Sequence, residues 1–301
     1  MGRLTAIVLG SAAGGGYPQW NCRCPVCRLA WDGDRRVKPR TQASVAVSGD
    51  GRHWTLLNAS PDLRAQIAAA RMLWPMENTR SSPIAAVVLT GGEIDQTAGL
   101  LSLRERQGFA LYGTAETLGF VAENPMFNVL ASDLVDRRAV TLEQPFALPG
   151  GLSATLFAVP GKLPLYREGE SVVTDGETAA NVGVELTGEG ARLAFVPGCA
   201  SMPKTLKERL GRGDLVLFDG TLFTDDEMIR LGAGEKTGRR MGHMPIDGRN
   251  GSLAALADLG ARRVYLHINN TNPILVENSP ERRRVEAAGW AVAEDGMEIV
   301  L

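Results

Sequence analysis

The sequence predicts an α/β protein folded as a four-layer αββα sandwich, two sheets face to face with helices outside, in a single domain. Three observations carry that expectation. Strand-like runs rich in Val, Leu and Ala are short and frequent. They crowd together early in the chain and alternate with helical segments later. No linker or composition break divides the 301 residues, a length that suits one large domain. A doubly wound parallel sheet is the structural alternative.

The strand runs fall at residues 4–10, 43–47, 55–58, 85–90 and 109–112, then at 153–157, 182–186, 192–196, 215–219 and 263–267. Ser60-Pro61-Asp62 reads as an N-cap with proline in the first turn, ahead of a helix reaching residue 70. Ser279-Pro280-Glu281 repeats that device before residues 282–288. Helical periodicity also covers residues 97–106, 115–122, 203–210, 225–231 and 251–259. Residues 162–178 are polar and without period, which predicts a long loop or lid.

Composition narrows the function. Hydrophobic residues make up 44% and charged residues 22%, enough for a sizeable core. Lys plus Arg is 32 against 34 for Asp plus Glu, so the net charge is −2 and no basic excess marks a general nucleic-acid binder. No apolar run approaches the roughly 18 residues of a membrane span. The opening MGRLTAIVLGSAAGGG reads as a strand running into a glycine loop rather than as a signal peptide, so a cytoplasmic chain is expected.

The cysteines and histidines point to metals. Cys22, Cys24 and Cys27 lie in the stretch GSAAGGGYPQWNCRCPVCR at residues 10–28. Three thiolates at that spacing can converge on one Zn2+ from a single loop, leaving a fourth position for a distant residue or water. The glycines before them allow the backbone to wrap closely. A structural zinc is the reading preferred over three unrelated reduced thiols. Cys199 stands alone and reads as a small buried residue. The glycine loop also suits a phosphate cradle, but Pro18 and the cysteines stand where that motif wants a helix. The chain has three histidines, His53, His243 and His267, too few for a binuclear zinc hydrolase with about five ligands. His53, between Arg52 and Trp54, reads as exposed at a bend.

After the strand at 85–90 the chain reads Gly91-Gly92-Glu93-Ile94-Asp95-Gln96-Thr97-Ala98-Gly99-Leu100. This segment resembles the H-x-H-x-D-H-x-x-G-L loop of the metallo-β-lactamase superfamily. Thr90, Asp95, Gly99 and Leu100 match, while Gly91, Glu93 and Gln96 stand at its histidine positions. LVLFDGTLF at 215–223, Gly242-His243 and Val264-Tyr265-Leu266-His267 resemble the later strands of the ribonuclease Z and phosphonate-phosphodiesterase branch. That branch also carries a Cys-x-Cys-x-x-Cys zinc site. The glycine–cysteine stretch, NASPDLR at 58–64, MGHMPI at 241–246 and HINNTNP at 267–273 together resemble a family of pyrroloquinoline quinone (PQQ) biosynthesis proteins, over residues 3–301.

That resemblance implies a metallo-β-lactamase-like fold and a part in making PQQ. The activity it implies is Fe(II)- and O2-dependent hydroxylation of the tyrosine ring in a glutamate–tyrosine precursor. The alternative it implies is a non-catalytic carrier of PQQ or its precursor towards the periplasm. Residues 90–100 would then be a degenerate metal loop, in which Glu93, Asp95 and Gln96 meet His267 around iron. The plainer readings are a solvated loop acid for Glu93 and a hydrogen-bonding loop residue for Asp95. His243 would serve as an acid–base or substrate contact, or simply as a turn histidine. Asn270, three residues after the final metal histidine, would close the zinc site. The precursor's carboxylates would be clamped by Arg40, Arg64, Lys236 and Arg239. PQQ or its precursor is the expected partner; other PQQ biosynthesis proteins and a second copy of the chain are compatible ones.

Overall fold

The computed structural model describes residues 3–169 and 173–301. Two seven-stranded sheets form its centre. The first holds β1 (Thr5–Gly10), β2 (Ser44–Ser48), β3 (Trp54–Leu57), β4 (Ile84–Val88), β5 (Phe109–Gly113), β6 (Val135–Ala139) and the last strand, β14 (Glu298–Val300). The second holds β7 (Pro145–Leu148), β8 (Leu152–Gly161), β9 (Gly176–Gly188), β10 (Ala191–Val196), β11 (Leu215–Asp219), β12 (Arg262–Leu266) and β13 (Trp290–Val292). Their orders are β14-β1-β2-β3-β4-β5-β6 and β13-β12-β11-β10-β9-β8-β7. Each sheet is antiparallel along one half and parallel along the other: β3 to β6 run parallel in the first, β10 to β13 in the second.

Alternation along each strand sorts side chains between two apolar layers. In β1, Ala6 and Val8 face the space between the sheets, while Ile7 and Leu9 pack under the outer helices. In β11, Leu215 and Leu217 face inward, while Val216 and Phe218 face the opposite helical layer. Central strands are therefore buried on both faces and read as continuous apolar runs. The helices are α1 (Pro25–Trp31), α2 (Leu63–Ala69), α3 (Ile94–Thr97), α4 (Ala115–Glu123), α5 (Lys204–Leu210), α6 (Glu227–Arg230), α7 (Ser252–Ala255) and α8 (Pro280–Ala287). They cover the outer faces and complete the αββα sandwich.

The local expectations need four corrections. The Ser60 cap does not form: its hydroxyl donates to Gln66 Oε1, and the Asp62 carboxylate accepts from the Gln42 main chain. A short helix the sequence does not announce, α1, takes in Cys27, because Cys24 caps it by accepting from the Cys27 N–H and Pro25 takes its first turn. Residues 97–106 form a short 3-10 segment instead of an α-helix, since Gly99 packs so tightly on Ser60 that a Cβ would lie 2.1 Å from its carbonyl oxygen. Residues 251–259 yield a single helical turn, whose first N–H groups bond back to Pro245 and Ile246. Strands β6, β7, β13 and β14 escape notice in the sequence; β6, β13 and β14 are sheet edges, β7 likewise, and edges need no long apolar run.

Candidate functional site

Loops leaving β1, β4, β8, β10, β11 and β12 line a cavity of about 490 Å3. Its floor gathers Asp95, Thr221, His243 and His267, with Asp219 buried beneath them. Asp219 ends the wholly buried strand β11, and His267 follows the last residue of β12 with φ 56°. One ligating atom each from Asp219, His243 and His267 lies within 4.8 Å of the others. The two imidazole rings stack at 5.2 Å between centroids.

Thr221 organises this floor. Its hydroxyl lies 2.6 Å from Asp219 Oδ1, 2.9 Å from His267 Nδ1 and 3.1 Å from His243 Nδ1. A hydroxyl has one proton to give. Given to Asp219, it leaves the oxygen to accept from both imidazoles. His243 Nδ1 also sits 2.8 Å from Asp219 Oδ2. Protonation at Nδ1 leaves Nε2 as the ligating nitrogen, the usual arrangement when a carboxylate orients a metal histidine. His267 Nε2 lies 2.9 Å from Asp95 Oδ2, where a proton or a cation satisfies both. Burial pushes the His267 pKa down, but the adjacent Asp95 carboxylate more than offsets this and holds it up. Burial pushes Asp95 up, and His267 more than offsets that in turn.

The other loop residues take different roles. Glu93 caps α3, and its carboxylate accepts from Lys162 Nζ at 2.8 Å and from the Leu165 N–H. Gln96 Oε1 accepts from the Glu93 N–H, completing the capping box. Both line the cavity, yet the Glu93 carboxylate and the Gln96 side-chain oxygen hold the loop. Residues 162–168 fold over this loop, and Tyr166 donates its hydroxyl proton to the Gly92 carbonyl at 2.8 Å. The rest of the expected lid includes residues 170–172, which lie outside the described residues.

Of the four expected clamps, only Lys236 lines the cavity. The buried Arg40 guanidinium instead donates to Ser11 and to the Ala293 carbonyl. Arg64 is exposed on α2, and Arg239 braces the Ala200 and Asn250 carbonyls. His53 is paired with Asp50 at the β2–β3 bend. Asp219 and Thr221 were absent from the expected set, though an acid closing an all-apolar strand is a signal of a buried polar site. Nothing in the sequence marks Lys162.

The three cysteine sulfurs also lie within 4.8 Å of one another. Tetrahedral Zn–S bonds of about 2.3 Å place sulfurs about 3.8 Å apart, so the set fits zinc. Asn270 stands against it: its main-chain oxygen is 3.8 Å from Cys24 Sγ and 3.7 Å from Cys27 Sγ, and its amide 3.2 Å from Cys27 Sγ. The Cys24 hydrogen bond to Cys27 pushes Cys24 up and holds Cys27 down. Gly15 and Gly16, with φ of 93° and 71°, let the chain turn into this loop.

Behind the floor, Glu227 accepts from Thr271 Oγ1 at 2.6 Å and from the Phe223 N–H at 2.8 Å. Burial raises its pKa from 4.5 to about 7. The folded state thus holds this proton more tightly than the unfolded chain. Its contribution to stability is full below pH 4.5 and is lost as pH rises through about 7. At about 1.4 kcal/mol per pKa unit the loss is on the order of 3 kcal/mol. Glu227→Gln should remove that slope between pH 5 and 8 in urea unfolding; an unchanged slope would assign the titration elsewhere.

A beta-lactamase superfamily domain model matches residues 53–268. Coenzyme PQQ synthesis protein B of Methylobacterium nodulans is 56% identical, over 99% of this chain and 100% of that protein. The homologue from Gluconacetobacter diazotrophicus is 53% identical, over 98% and 99%. The crystal structure of Zn2+-bound PqqB from Methylobacterium extorquens is 54% identical and matches with a TM-score of 0.97, over 99% of this chain and 100% of that one. A diphosphatase of the PhnP family shares the fold at 22% identity and TM-score 0.70, over 99% and 97%.

Proposed function

The chain belongs to the coenzyme PQQ synthesis protein B family of the beta-lactamase superfamily, and on that premise we propose that it hydroxylates the tyrosine ring of a glutamate–tyrosine PQQ precursor with Fe(II) and O2. A role in PQQ biosynthesis follows from the family itself. One observation supports the hydroxylase reading above the rest: two imidazoles and the Asp219 carboxylate converge on the Thr221 hydroxyl, and Asp95 meets His267 at its other ring nitrogen, at a substrate-sized cavity. Such a mixed set with open positions suits non-heme Fe(II). Asp95, Asp219, His243 and His267 would hold the iron, which when bound supplies the redox chemistry that dioxygen needs. Glu93 and Gln96 hold the loop that carries Asp95. Zn2+ would be held by Cys22, Cys24 and Cys27 with Asn270, as a structural ion.

The remaining cavity residues position the substrate. Ile94, Pro164 and Leu165 offer an apolar wall for a ring. Lys162 and Lys236 offer charge to carboxylates. Residues 162–168 add Lys162, Pro164, Leu165, Tyr166 and Glu168 to the cavity wall, held against residues 92–93.

A carrier of PQQ would use the same cavity without turnover. The Gln96 side-chain oxygen, bonded to the Glu93 N–H, favours that reading, because it thins the ligand set. The two separate on one experiment. The protein is purified without oxygen, loaded with Fe(II), and given a glutamate–tyrosine dipeptide, a two-electron reductant such as ascorbate, and then O2, so that one oxygen atom enters the ring and the other leaves as water. Hydroxylated dipeptide in the mass spectrum is expected; micromolar PQQ binding with no product would leave the carrier. Gln96→His should add an imidazole to the same wall and tighten Fe(II) by roughly tenfold, in the range that neighbouring-residue changes reach at metal sites. Unchanged iron affinity would remove this loop from the site.

A further inference from the structure

Glu168 is an unusual lid residue. Its side chain is only 9% exposed, and three cations surround its carboxylate. Lys162 Nζ lies at 2.9 Å, Arg240 Nη1 at 3.4 Å and Lys236 Nζ at 3.7 Å. These cations come from three separate stretches: the residue after β8, the segment after α6, and the turn before Gly242. Glu93 is the other acid at the cluster, on Lys162. Lys162, Lys236 and Arg240 bring three positive charges and Glu93 and Glu168 two negative ones, so one positive charge is left over. Lys162, Lys236, Glu93 and Glu168 all line the cavity.

Carboxylate recognition by converging lysine and arginine is a generic chemistry. Here the carboxylate being recognised belongs to the chain itself. Lys162 is largely buried while Lys236 and Arg240 are partly exposed, so converging cations here favour an anion between them. Glu168 supplies it from a short segment held at its tip by Tyr166 and Leu165 on residues 92–93.

We propose that the Lys162–Lys236–Arg240 cradle is the subsite for a substrate carboxylate, and that Glu168 is a built-in competitor which the incoming carboxylate displaces. The exchange swaps one carboxylate for another in the same cradle, while Tyr166 and Leu165 stay bonded to residues 92–93. A neutral analogue cannot make the exchange and gains nothing from the three cations. Glu168 thereby selects for multiply charged carboxylate ligands over apolar ring compounds of the same size. This inference rests on the reading of the cavity as the site for PQQ or its precursor.

The test is calorimetric titration of the full-length, zinc-loaded protein with PQQ and, separately, with its neutral trimethyl ester. Glu168→Gln should tighten PQQ about tenfold, the worth of one charge-assisted contact no longer competed for. Glu168→Asp should shift affinity the same way by less. Lys236→Ala and Arg240→Ala should each weaken PQQ, and the advantage of PQQ over its ester should shrink in both. Weaker or unchanged PQQ binding in both Glu168 variants overturns the proposal, as does equal tightening of the ester. Absence of PQQ binding to wild type and to both Glu168 variants overturns it too. The hydroxylase reading fails separately, by lack of product from iron-loaded protein, and that failure would leave this affinity pattern standing.

Discussion

His267→Asn should abolish iron binding and product formation while leaving the fold intact. Asparagine is chosen because position 267 has φ 56°, a left-handed conformation that asparagine tolerates and alanine does not favour. The substitution deletes the imidazole that meets Asp95 at Nε2 and Thr221 at Nδ1. Residues that only orient a metal ligand cost about 10–100-fold when lost, so a direct ligand should cost at least about a hundredfold in Fe(II) affinity. Anaerobic Fe(II) titration reads the affinity and thermal unfolding reads the fold. Near-native iron affinity in a folded variant would take His267 out of the centre.

Cys24→Ala should produce the largest loss of stability. Zinc held by three thiolates couples directly to folding, and apparent binding energies in zinc-finger peptides reach about 10–16 kcal/mol. Cys24 also caps α1, so its loss removes a contact of about 1 kcal/mol as well. The effect should reach the cavity. Asn270 packs on Cys27 and lies three residues from His267 in the same loop. Metal analysis should fall from about one zinc per chain to none, the melting temperature should drop sharply, and iron affinity should weaken with it. Full zinc content in Cys24→Ala would refute the cysteine site; lost zinc with unchanged iron affinity would uncouple the two sites.

The sequence made the central strands readable because they are buried on both faces. Val, Leu and Ala runs such as residues 215–218 have no polar side to interrupt them. Edge strands such as β6, VDRRA, carry no such pattern, and their pairing is set by neighbours far along the chain. Single helical turns such as α3 and α7 are fixed by tertiary contacts rather than by periodicity. The cysteine trio was legible because its spacing is local. Asp95 and His267 were legible through motifs on separate strands that 172 positions divide. The link between them, Thr221, was not, because a threonine in LVLFDGTLF gains its role only when β11 and β12 pair side by side. The arginines misled for a related reason. Charge alone does not say whether a guanidinium faces a ligand or, like Arg40, a buried main-chain carbonyl.

X-ray diffraction from crystals of zinc- and Fe(II)-loaded protein, recorded at the zinc and iron absorption edges, tests the account most directly. The account predicts two separate peaks: zinc within bonding distance of Cys22, Cys24 and Cys27, and iron among Asp95, Asp219, His243 and His267. An iron position away from those four side chains, or sulfurs with no zinc between them, would contradict it.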